Sequence, residues 1–147
     1  MYLVDTNVVS EAAPARSSAH AALVEWMDRH AGILYLSTIT VAEIEAGIAK
    51  ARRQGAGARA RSFARWLDQL LHIYGERVLP LDIPTARTAG NLSEFMRSKG
   101  VAPGFGDVVI AATAQHHSLT VLTRNLRHFT PMMVPALDPF VTLPPSK

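Results

Sequence analysis

Three acidic residues stand out because their surroundings are otherwise nearly uncharged: Asp5 in "LVDTNVV", Glu43 in "ITVAEIEAG" and Asp107 in "FGDVVIAATA". Most other acids sit in mixed polar segments, as a solvated face predicts. A fourth polar residue, Asn125 in "LTRN", follows an apolar run as Asp5 does. Brought together, three carboxylates repel, and burial alone pushes one or more towards the protonated form. A divalent cation resolves that conflict. The chain has no cysteine, so the ligands are oxygen or imidazole, a set that favours Mg²⁺ or Mn²⁺. Such an ion lowers the pKa of a bound water, polarises a phosphoryl oxygen and orients a leaving group. The chemistry implied is phosphodiester hydrolysis, with Asp5, Glu43 and Asp107 as metal ligands and Asn125 completing the catalytic set. Thr6 is placed to hold a metal-bound water, and Asn7 to fix the loop around Asp5. Taken singly, each acid has a plainer reading. Asp5 and Asp107 suit helix caps or first-turn acids, and Glu43 suits a capping-box partner of Thr40.

The elements that must position these residues alternate along the chain. "YLV" at residues 2–4 reads as a strand ending in Asp5, and "TNVVSEA" as a helical turn capped by Thr6 or Asn7. Leu23, Trp26 and Met27 space a helix over 18–30, and "ILYLS" follows as a second strand. A helix capped by Thr38 or Thr40 puts Ile44, Ile48 and Ala51 on one face and Glu43 in its first turn; "GAG" breaks it before another over 59–74. "RVLPLD" reads as a third strand, and a helix over 85–98 ends at Gly100. A helix beginning at Asp107 leads into "LTVLT", the fourth strand, and the proline-rich tail leaves room for one short edge strand and a frayed end. This order predicts a single α/β domain over 1–147 with a mostly parallel sheet and helices on both faces. In such sheets the functional crevice lies beyond the carboxyl ends of the strands, where Asp5, Glu43, Asp107 and Asn125 all fall.

Bulk properties set limits. At 147 residues, 48% hydrophobic and 18% charged, the composition is globular, and no apolar run approaches a membrane span. The N-terminus lacks the basic and apolar regions of a secretion signal, so the expected location is cytoplasmic. The net charge of +3 hides an uneven layout: Lys50, Arg52, Arg53, Arg59, Arg61 and Arg65 cluster where no acid occurs between Ala46 and Leu67. That hairpin suits a polyanion, or simply a solvated face.

Taken in order, "LVDTNVVSE", "LSTITVAEIEAG", "GDVVIAATAQHHSLTVLTRN" and "LRHF" resemble the PIN-domain proteins, and within them the VapC-like and FitB-like toxins of bacterial toxin–antitoxin pairs. The resemblance runs over nearly the whole chain. It implies a small PIN-like α/β/α sandwich and metal-dependent cleavage of RNA by an acidic cluster formed by Asp5, Glu43 and Asp107. It also implies a cognate antitoxin as partner, a homodimer, and contact with DNA only through the antitoxin. One departure matters: family members often carry a further Asp where this chain has Asn125 or His128, leaving one negative charge fewer and weakening the case for a second ion. His128 then reads as a surface residue or a phosphate contact, and Thr123 as a helper hydroxyl or a strand-end residue. Three other functions compete. One is a PIN-fold partner acting mainly in operator-bound autorepression with weak or no nuclease activity. An aspartyl-phosphate phosphatase would want a second Asp where Asn7 stands. A His-pair nuclease is disfavoured because adjacent His116 and His117 face different ways on one helix.

Overall fold

The structure is a computed structural model and describes residues 1–14 and 20–145. Its strands are β1 (Tyr2–Val4), β2 (Leu34–Ser37), β3 (Val78–Leu79), β4 (Thr120–Leu122) and β5 (Ala136–Leu137), and they form one five-stranded sheet in the order β3-β2-β1-β4-β5. Every pairing is parallel, with Leu3 opposite Tyr35 on one side and Val121 on the other. The sequence reason is visible in β1. A parallel strand covered on both faces needs an unbroken apolar run, and Tyr2, Leu3 and Val4 are all buried.

The helices are α1 (Thr6–Val9), α2 (Ala21–Arg29), α3 (Thr38–Arg53), α4 (Gly57–Tyr74), α5 (Ile83–Ser98), α6 (Phe105–His117) and α7 (Leu126–Phe129). They cover both faces of the sheet. Alternation along β1 divides the core: Tyr2 and Val4 join Trp26, Ile48, Trp66 and Leu70 from α2, α3 and α4. Leu3 faces the other way, into Leu92, Met96, Ile110 and Phe129 from α5, α6 and α7. This is the expected α/β/α arrangement of helix layers around a parallel sheet. Among the described residues no helix is long and apolar enough to cross a membrane.

Several boundaries differ from the sequence expectation. The expected start of α2 at Ser18 and the frayed end at 146–147 lie outside the described residues. Asp5 itself caps α1, its carboxylate accepting from the Thr6 N–H, in place of Thr6 or Asn7. Ser37 caps α3 by accepting from the Ile39 N–H, so neither Thr38 nor Thr40 does, and Glu43 falls in the second turn. β3 is only two residues long because Pro80 has no N–H to continue a ladder. Asp82 caps α5, its Oδ1 accepting from the Thr85 N–H at 3.0 Å, which lets the helix begin before Pro84. The four-residue α7 has no counterpart in the sequence reading.

Candidate active site

β1 delivers Asp5 to the carboxyl edge of the sheet, and its backbone N–H still bonds the Leu122 carbonyl at 3.0 Å, one step beyond the strand proper. The residue is only 5% exposed. Its Oδ1 accepts from the Thr6 N–H at 2.7 Å, and its Oδ2 accepts from Asn7 Nδ2 and from the Thr123 hydroxyl, both at 2.7 Å. Burial raises the Asp5 pKa above its ordinary 3.8; the bonds from Thr123 and Thr6 pull it back, and the Asp107 and Glu43 carboxylates raise it further. Two further acids are therefore near enough to be felt.

Glu43 reaches the same place from α3 and accepts a hydrogen bond from the Thr6 hydroxyl. Because Thr6, and not Thr40, is its partner, the capping-box reading of Glu43 does not hold. Asp107, in the first turn of α6, meets the Nδ1 of His128 through its Oδ2 at 2.8 Å. Asn125 follows β4, and its backbone N–H donates to the Thr123 hydroxyl at 3.0 Å. Asp5, Glu43, Asp107 and Asn125 all line one cleft of about 350 Å³. All four residues expected from the sequence are thus gathered at one edge of the sheet. Among the described residues no three acidic or imidazole side chains close into a ready ligand cage; the shared cleft is what unites them.

Other residues in the site were not anticipated. Glu11, just past α1, and Arg124, between β4 and α7, also line the cleft. The sequence signal for Glu11 was its place less than two helical turns after Asp5, masked by an ordinary polar context. His128 keeps its side chain 38% exposed while bonding Asp107. Thr123 is fully buried just past the end of β4, and its hydroxyl donates to Asp5 Oδ2. A second groove of about 390 Å³ begins at the same Thr6 and Glu43 and runs between α3 and α4 past Phe63 and Trp66 to Lys50 and Arg59.

The PIN domain model matches residues 2–130, and the chain belongs to that family. It is 37% identical over 142 residues to plasmid stability protein StbB of Pseudomonas syringae pv. tomato, covering 95% of this chain and 99% of that one. It is 35% identical to toxin FitB of Neisseria gonorrhoeae (95% and 99% covered) and 34% identical to VapC ribonuclease Y4jK of Sinorhizobium fredii (95% and 98%). A chain in the structure of FitAB bound to an IR36 DNA fragment superposes with a TM-score of 0.82 at 34% identity, covering 95% of this chain and 96% of that one.

Proposed function

We propose that the chain is a metal-dependent endoribonuclease, the toxin of a toxin–antitoxin pair, that hydrolyses RNA phosphodiester bonds at the acid-lined cleft. The observation that carries this reading is the convergence of Asp5, Glu43 and Asp107 on one cleft, with Asp5 held in a burial that penalises its charge. Names among the relatives, a toxin and a ribonuclease, support the substrate class. The donor set fits Mg²⁺ or Mn²⁺: three carboxylates, no thiolate, and a buried carboxylate repelled by two others. Asp5, Glu43 and Asp107 would hold the ion, whose chemistry is to activate water and polarise a phosphoryl oxygen. The chain's own residues prepare the site. Thr123 and Asn7 hold the Asp5 carboxylate in one orientation, Thr6 tethers Glu43, and His128 fixes Asp107. Incubating the purified chain with labelled single-stranded RNA and Mg²⁺ or Mn²⁺ tests the reading; RNA that stays intact with both ions sinks it.

Two substitutions probe Glu43. Glu43→Gln is expected to lower the cleavage rate by roughly a hundredfold or more, as loss of a charged stabilising group does. Glu45→Gln leaves it near the parental value, because residues two apart on a helix point about 200° away from each other. Equal losses at both positions would break the assignment. Gly106→Ala tests the same carboxylate from the opposite wall. A Cβ at Gly106 would lie 2.6 Å from Glu43 Oε1, so the Glu43 side chain must swing aside. Alanine favours a helix by up to about 1 kcal/mol over glycine, so the melting temperature holds or rises while cleavage falls about tenfold, a loss on the scale of disturbed ligand support. Parental cleavage by this variant would place Glu43 outside the chemistry.

The groove beside the site gives the basic hairpin a task. Lys50 and Arg59 stand on its wall, with Arg59 over the Phe63 ring at 5.4 Å, and an RNA strand leaving the cleft would pass them. Replacing Arg59, Arg61 and Arg65 by Gln should raise KM, leave kcat nearly unchanged and flatten the salt dependence by roughly 0.7 per lost phosphate contact. An unchanged KM and salt slope would return the hairpin to a solvated face.

Partners follow from the same reading. A cognate antitoxin and a homodimer are expected; the dimer is supported by the exposed apolar side chains of Ile83 (78%) at the start of α5 and Phe105 (67%) at the start of α6. A monomer by light scattering at micromolar concentration would count against it. A second reading, a partner in a DNA-bound repressor complex with little nuclease activity, draws on the DNA-bound FitAB relative. Calorimetry separates the two: antitoxin binding with no Mg²⁺ or Mn²⁺ binding favours the repressor role.

A further inference from the structure

The acid-lined cleft has one basic wall. Among the described residues lining it, Arg124 is the one arginine or lysine, set against Asp5, Glu11, Glu43 and Asp107. Three contacts place it. Its backbone N–H donates to Asn7 Oδ1 at 3.2 Å, its guanidinium carbon lies 3.6 Å from the centre of the Phe140 ring, and its Nη2 is 3.7 Å from Glu11 Oε1. The last distance is an ion pair too long for a hydrogen bond. Stacking on a ring uses the face of a guanidinium and leaves its N–H edge able to donate in the plane, a geometry matched to phosphate oxygens. The side chain is 47% exposed, open to an incoming ligand.

Phe140 is itself held in place. Its backbone N–H donates to Asp138 Oδ1 at 2.9 Å, its ring meets His20 edge-on at 4.8 Å, and beyond it the Pro145 carbonyl accepts from the Tyr2 hydroxyl at 2.9 Å. The C-terminal tail is therefore fastened on both sides of the residue that braces Arg124, by the pairing of β5 with β4 before it and by the Tyr2 hydroxyl after it. The proline-rich tail showed no sequence signal of a role in the site.

Hydrolysis of a phosphodiester forms a bond from the water oxygen to phosphorus and breaks the bond from phosphorus to the leaving ribose oxygen, which takes up a proton as the water loses one. Negative charge on the non-bridging oxygens must be stabilised meanwhile. Four acids around the cleft oppose a polyanion, and a braced arginine among them offsets that repulsion at one point. We infer that Arg124, held against Phe140, binds a non-bridging oxygen of the RNA phosphate in the cleft, so that the C-terminal tail forms part of the active site. This rests on the nuclease reading and adds to it a substrate-binding residue and a positioning residue.

The test compares Arg124→Gln, Arg124→Lys, Phe140→Leu and Phe140→Tyr with the parent. Cleavage of a short single-stranded RNA is measured over a range of salt, Mn²⁺ binding by calorimetry and folding by circular dichroism. Arg124→Gln should lower kcat/KM about a hundredfold and flatten the salt slope by roughly 0.7, with Mn²⁺ affinity and melting temperature unchanged. Arg124→Lys should recover only part, because a point charge cannot reproduce the fork. Phe140→Leu should lose about tenfold, in the range seen when a supporting contact is removed, and Phe140→Tyr, which keeps the ring face, should restore the parental rate. A parent that cleaves RNA with an Arg124→Gln variant that matches it in kcat/KM and salt slope overturns this inference alone. Loss of Mn²⁺ binding or of folding in Arg124→Gln also overturns it, by making Arg124 structural. A parent that cleaves no RNA removes the nuclease reading and this inference together.

Discussion

Asp5→Asn and Asp107→Asn should each yield a folded chain whose RNA cleavage is slower by about a thousandfold or more, since an ion's stabilisation of developing charge is worth several kcal/mol. The substitutions remove charge and keep shape. At Asp5, an amide oxygen can still accept from the Thr6 N–H, and an amide nitrogen can donate to the Thr123 hydroxyl. The conflict falls on both donors to Oδ2: Asn7 Nδ2 meets a second donor and must turn, and the Thr123 hydroxyl proton loses its acceptor, a disturbance of about 1 kcal/mol for each lost hydrogen bond. Relief from burying a charge acts in the opposite direction. At Asp107, an amide oxygen can replace the carboxylate opposite His128. The melting temperature should therefore stay within a few degrees of the parent while initial rates on a labelled RNA collapse. Parental rates in either variant would remove that carboxylate from the site.

The parts of this molecule legible from sequence are those in which a local pattern coincides with a tertiary requirement. "YLV" reads as a buried strand because a short apolar run at the head of alternating strand and helix patterns suits a strand covered on both faces, and its end carries whatever follows to the edge of the sheet, which is Asp5. Glu43 and Asp107 were legible for the same reason, as charges where a core-facing segment has no local use for them. Boundaries were less legible because polar side chains at strand ends do two things at once. Ser37 is the last residue of β2 and also the cap of α3, and Asp5 caps α1 while serving the site. α7 escaped notice because four residues carry no period to detect. Arg124 with Glu11, and Asp107 with His128, are pairs that only the folded sheet edge brings together, and no spacing rule links residues so far apart. Glu11 was further hidden because a lone acid in a polar context is usually solvated.

If the cleft holds a divalent ion, chelation should abolish cleavage and also expose a pH dependence that the bound ion would mask. The pKa of Asp5 is raised in the folded chain, chiefly by burial, so the fold binds that proton more tightly than the unfolded chain does. The favourable contribution is fully present below the unfolded value of 3.8 and is lost as pH rises through the higher folded value. Above that window a buried carboxylate, repelled by Asp107 and Glu43, is a standing cost to the metal-free protein. A divalent cation held between these groups would remove much of the cost. With Mg²⁺ or Mn²⁺ at a hundred times its dissociation constant, linkage stabilises the fold by about 2.7 kcal/mol. For a domain of this size that raises the melting temperature by roughly 5 to 10 °C. The rise should be large at neutral pH, shrink as Asp5 protonates, and be strongly reduced in Asp5→Asn at every pH. Two controls guard the reading: Ca²⁺ tests whether any hard cation suffices to stabilise, and EDTA with excess Mg²⁺ tests whether cleavage returns. Cleavage that persists in EDTA, or a melting temperature indifferent to Mg²⁺ and Mn²⁺ at neutral pH, would mean that the three carboxylates meet for some purpose other than holding an ion.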